Sequence, residues 1–164
     1  MKKHPSKVTA LGGILAALAI VIMCLGGLIP FATYVCPMLC ALLCFTVFRF
    51  CGRRIAWTWY AAVAILSVLI GPDKEAAMVF LFVGYYPIIK PRLDCVPFAV
   101  LWKLLLFNIS AVLVFAVQLL LFGVQMVMAE YAGISAIWLI VFLLLGNVTF
   151  FLLDMLLNRL SREI

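Results

Sequence analysis

Apolar residues run almost unbroken along this chain, broken at short intervals by brief polar or basic stretches. The runs cover about 8–29, 32–50, 55–71, 73–89, 98–122 and 133–157. Each is close to the roughly 17–25 residues that carry a helix across a hydrocarbon layer about 30 Å thick. None alternates with period two, which excludes a membrane barrel, and backbone amides in hydrocarbon must be satisfied within each segment. The pattern predicts an all-α integral membrane protein, a single domain over 1–164 built as a six-transmembrane-helix bundle.

The polar interruptions carry their charge asymmetrically. With the N-terminus inside, Lys2, Lys3, Lys7, Arg49, Arg53, Arg54, Lys90, Arg92, Lys103, Arg159 and Arg162 all fall on the cytoplasmic side of six spans, and Lys74 alone falls outside. That is the bias of an N-in, C-in protein. The net charge of +6 then reports orientation and contact with anionic lipid, and no nucleic-acid partner is implied. At 69% hydrophobic and 11% charged residues, with a mean hydropathy of +1.32, the composition is that of a multi-pass protein of the cell membrane. The first run is too long for the apolar region of a signal peptide, and no small-x-small site closes it, so it is read as a retained span.

Six cysteines are present without a CxxC pair, and His4 is the only histidine. A zinc or dithiol centre is therefore not indicated, and no cofactor is expected. Cys36, Cys40 and Cys44 share one face of the second run and read as small packing residues. The first run contains two overlapping small-xxx-small pairs, Gly12/Ala16 and Gly13/Ala17, which allow close helix approach either within the chain or against another subunit. Trp57, Trp59 and Tyr60, directly after Arg53 and Arg54, read as an interfacial aromatic anchor. Pro72 ends the third run, Asp73 and Glu75 suit the start of the next helix, and Gly84 with Pro87 predicts a kink near its inner end.

Candidate solute contacts follow from polar residues placed among apolar ones. Asp73, Lys74 and Glu75 form the one outer charge cluster; Gln118 lies toward the outer end of the fifth span and Glu130 in the loop that follows it. Asn108 and Asn147 fall at equal depth in consecutive antiparallel spans, as do Lys103 and Asp154. Both read first as interhelical pairs; the asparagines are also candidate ligand contacts, and Lys103 could instead snorkel to the interface alone. No Ser/His or Cys/His pair, HExxH, phosphate loop or carboxylate cluster is present, so catalysis is not expected.

The six-span layout, the small face of Gly12, Gly13, Ala16 and Ala17, and the polar turn at Asp73 to Glu75 together resemble the substrate-binding S components of energy-coupling-factor transporters, small bacterial membrane proteins. The resemblance implies that Gly12, Gly13, Ala16 and Ala17 dock on a transmembrane coupling subunit driven by two cytoplasmic ATPases. It also implies that the outer half of the last three spans captures a small vitamin-like molecule or micronutrient. The first outer loop departs from the family in being too short for a substrate lid. The alternative is a multi-pass membrane scaffold resembling rod-shape membrane proteins, which needs no solute cavity.

Overall fold

In the computed structural model of the chain, the described residues are 5–26, 32–123, 125 and 136–163. They are helical apart from short turns, with no strand among them. Helices α1 (Pro5–Gly26), α2 (Ala32–Cys51), α3 (Arg53–Ile70), α4 (Lys74–Val83), α5 (Tyr86–Leu93), α6 (Ala99–Phe122) and α7 (Ala136–Glu163) follow one another along the chain. Four of them, α1, α3, α6 and α7, contain stretches long and apolar enough to cross a membrane; the apolar stretch of α2, Val35–Cys51, is shorter. The fourth run divides at Gly84 into ten-residue α4 and eight-residue α5. A Cβ at Gly84 would sit 2.6 Å from the Phe80 ring, so the bend places a residue without a side chain at the tightest point.

Contacts gather the chain into two compact units, 1–96 and 97–164. In the first, α1 and α2 run antiparallel, and two thiol–carbonyl contacts eleven residues apart on both helices mark their register: Cys51 Sγ to Val8 O at 3.6 Å and Cys40 Sγ to Ala19 O at 3.4 Å. The interior is built from small residues around a few large ones. Ala19, Cys40, Cys44, Ala56, Ala64, Ala76 and Ala77 surround Met23, Trp59 and Phe80. Small side chains let helix backbones approach closely, which favours dispersion contacts where no hydrophobic drive separates inside from outside. The larger apolar side chains face out instead, including Ile14, Leu18 and Val21 on α1 and Ile65, Leu69 and Ile70 on α3.

One residue joins α2 to α3. Gly52 adopts φ 92°, accepts from Ala56 N at 3.0 Å and donates to Phe48 O at 3.2 Å. A side chain at that φ is strained, so the abrupt reversal depends on glycine. At the other end of α3, Lys74 Nζ donates to Val68 O at 2.7 Å. Near its start, Trp57 stacks on Tyr85 with centroids 6.3 Å apart. Helix α4 thus returns antiparallel along α3, whose 18 residues span about 27 Å.

The second unit is a helical hairpin of α6 and α7. Its outward side chains are apolar along both helices: Leu105, Ile109, Val112 and Leu120 on α6, and Leu144, Val148, Phe151 and Leu152 on α7. Phe98 precedes α6 with a left-handed backbone (φ 61°), the only non-glycine residue in that region among those described.

The buried thiols supply a direct check on the packing. Replacing fully buried Cys40 by leucine adds volume where α1 touches α2 and is expected to destabilise the protein by about 1–3 kcal/mol. The same change at exposed Cys95 should leave the unfolding midpoint unaltered. Thermal unfolding of the two purified variants, with maleimide labelling of Cys95 but not Cys40 before denaturation, reads both outcomes.

Candidate functional site

The polar side chains of the α6–α7 hairpin meet in two tiers. Asn108 Nδ2 donates to Asn147 Oδ1 at 3.0 Å, and Asn147 Nδ2 returns a bond to Asn108 Oδ1 at 3.3 Å. Each amide also donates to the carbonyl one turn back on its own helix, Leu104 O and Leu143 O, both at 2.8 Å. All four amide N–H groups are therefore engaged within the hairpin. The pairing expected from equal depth is present, which accounts for both asparagines without a ligand.

The second tier is ionic. Lys103 Nζ lies 3.3 and 3.1 Å from the two carboxylate oxygens of Asp154, with the residues only 7% and 9% exposed. Separated, either charge would be costly to desolvate; together they offset much of that cost. A recess of about 20 Å³ borders the pair, lined by Val100, Leu104, Phe150 and Phe151 besides the two charged residues. This volume suits about one water molecule. Between the tiers, Phe107 stacks on Phe150 with centroids 4.8 Å apart, and Gly146 leaves room for the Phe107 ring, 3.3 Å from where a Cβ would stand.

The acidic turn lies in the first unit. Asp73 accepts from Ala76 N at 3.0 Å and so caps α4; Glu75 occupies its first turn, where the helix dipole favours a carboxylate. Lys74 is exposed, its ammonium held by the Val68 carbonyl. Nearby, Ser67 Oγ is buried with no hydrogen-bond partner among the described residues. Gln118 is half-buried on α6, ten residues beyond Asn108, about 15 Å along the axis. Glu130 lies outside the described residues. The structure thus brings Asp73, Lys74 and Glu75 together in one place and Asn108 and Asn147 together in another.

The four small residues of α1 divide between two directions. Gly12 is buried, and its carbonyl accepts the Trp59 indole N–H at 3.1 Å; Ala16 is half-buried against the core. Gly13 and Ala17 are exposed, and a Cβ at Gly13 would meet nothing within 4 Å. The Trp59–Gly12 bond was not legible in the sequence, because Trp57, Trp59 and Tyr60 read alike as interfacial anchors. Trp59 instead points inward, the Tyr60 hydroxyl donates to Leu81 O, and Trp57 remains half-exposed. A second unforeseen feature is buried Lys90, 3.7 Å from Asp94 and 5.8 Å from the centroid of the Tyr86 ring.

Among the described residues no group of three or more His, Cys, Asp or Glu side chains is placed to hold a metal. No protein-family model, curated protein or solved structure matches the chain.

Both tiers predict measurable coupling. Asn108→Ala and Asn147→Ala should each destabilise modestly, and the double variant by less than the sum, with a coupling of about 0.6 kcal/mol and not above about 1.7. Asp154→Leu alone should destabilise by about 3–5 kcal/mol by stranding the ammonium, whereas adding Lys103→Met should restore most of the loss. Unfolding of purified protein in mixed micelles over the two cycles measures both.

Proposed function

We propose that the chain is a six-span, N-in and C-in membrane protein that acts as the substrate-binding subunit of an uptake transporter similar to energy-coupling-factor S components. In this reading it takes a small vitamin-like solute from outside and works with a transmembrane coupling subunit and cytoplasmic ATPases. The membrane setting is supported by four helices of spanning length and composition, and by their large apolar side chains facing outward. Charge placement in the first unit supports the orientation. Asp73, Lys74 and Glu75 lie at one end of α3 while Arg53 and Arg54 lie at the other, about one hydrocarbon thickness away.

The observation that carries the transporter reading is the division of the α1 face. Gly12 and Ala16 are engaged with the core, whereas Gly13 and Ala17 are exposed and leave backbone accessible. Such a surface suits close docking of another helix. A second reading, a membrane scaffold, is favoured by Asn108, Asn147 and Asp73, since each already has an intramolecular partner. In the transporter reading, the polar turn of Asp73 to Glu75 is the candidate solute contact of the first unit.

Two experiments test these statements. Single cysteines at Lys74→Cys and Arg53→Cys, in a background with the native cysteines replaced by alanine, should label from opposite sides of the membrane, Lys74→Cys from outside; labelling from one side would reject the topology. Wild-type protein isolated from its own membranes should carry a transmembrane subunit with ATPases, and Ala17→Leu should lose them at an unchanged unfolding midpoint. Isolation of the wild type without any ATPase would favour the scaffold.

A further inference from the structure

The corner between α2 and α3 concentrates positive charge that no acidic side chain among the described residues pairs with. Arg49 lies in the last turn of α2, Gly52 reverses the chain in one residue, and Arg53 and Arg54 open α3. Arg49 and Arg54 are exposed, Arg53 half-exposed. None of the three guanidinium groups has a hydrogen bond or ion pair among the described residues. Helix α5 packs beside α2 and α3 and adds exposed Arg92 in its last turn. Asp94 follows α5, but it lies within ion-pair distance of Lys90.

Intrachain electrostatics disfavour this arrangement. Arg53 and Arg54 stand at the end of α3 where the helix dipole repels cations, with no acidic residue in the first turn. Like charges gathered at one corner of the chain add to the repulsion. The arginines therefore contribute nothing evident to the fold they sit on, and an anion outside the chain would relieve the strain. Beside them, Trp57 and Tyr85 form a stacked, partly exposed pair, with Tyr60 edge-on to both at 6.0 Å. Ring pairs of this kind settle at the level of lipid headgroups, where one edge is apolar and the other wet.

We propose that Arg49, Arg53, Arg54 and Arg92, bordered by the Trp57–Tyr85 pair, form a binding site for the phosphate of an anionic phospholipid. The guanidinium forks hold the phosphodiester by charge-assisted hydrogen bonds, while the rings pack against the glycerol and upper acyl carbons. The proposal rests on the membrane reading above and not on solute transport.

The test uses the full-length protein in detergent micelles, titrated separately with phosphatidylglycerol, with phosphatidylcholine and with inorganic phosphate while binding and unfolding midpoint are followed. Phosphatidylglycerol should bind and stabilise; phosphatidylcholine should do so weakly. Each basic residue near an anionic surface contributes about fivefold in affinity, so Arg53→Gln/Arg54→Gln should weaken phosphatidylglycerol binding by about 25-fold. Equal binding of the two lipids, or an unchanged affinity in the double variant, would overturn the site. So would inorganic phosphate matching phosphatidylglycerol, because the occupant would then be a free anion. Should the double variant fail to fold, wild-type protein in about 1 M salt decides the matter: screening should abolish the lipid preference, and its persistence would reject the arginine site. Extraction of the wild type from membranes by alkaline carbonate would refute the membrane reading itself, separately from the lipid preference.

Discussion

Helices coated in leucine, isoleucine, valine and phenylalanine leave polar groups one place to go, which is the interior of the chain. That constraint organises both units. In the hairpin, Lys103 meets Asp154 and Asn108 meets Asn147. In the first unit, thiols of α2 and the Trp59 indole donate to backbone carbonyls of α1. Burial in a water-soluble domain sorts residues by polarity; here many large apolar side chains are outside, and small or weakly polar ones lie with a few large ones between helices. Association then depends on close approach and on satisfied polar contacts more than on area removed from water.

The cysteines follow from the same requirement. A Cys side chain is small enough to sit between helices, and its weak S–H donor can use a carbonyl that serine would claim more strongly and alanine would ignore. Cys36, Cys40 and Cys44 recur at one-turn spacing on a buried face of α2, and Cys40 there meets a carbonyl of α1. The small residues of the first helix have no such uniform role: Gly12 receives a tryptophan, while Gly13 is left open.

Helical periodicity and hydropathy made most of the fold legible. The expected runs 32–50 and 98–122 coincide closely with α2 and α6, and a break in the fourth run at Gly84 was foreseeable from glycine and proline placement. Matched depth in consecutive helices likewise exposed the Asn108–Asn147 and Lys103–Asp154 pairs, since a polar group among apolar neighbours has few alternatives. Rotation about a helix axis was harder to read. Trp57 and Trp59 differ by two positions and point to opposite environments, but both are equally apt at an interface by composition. Lys90, buried against Tyr86 and Asp94, was hidden for a related reason: a lysine near a helix end ordinarily reaches water along its own stem.

The two polar tiers of the hairpin stand five residues apart on α6 and seven apart on α7, about 7.5 and 10.5 Å of helical rise. The unequal spacing works as a vernier. Sliding one helix past the other by a full turn, about 5.4 Å, brings no second polar pair into alignment and leaves two amides and two charges against apolar side chains at once. An apolar hairpin of uniform leucines would have several registers of similar energy; this one has a single setting. Whatever moves during the protein's work, α6 and α7 are thereby suited to move as one rigid lever and not to shear against each other.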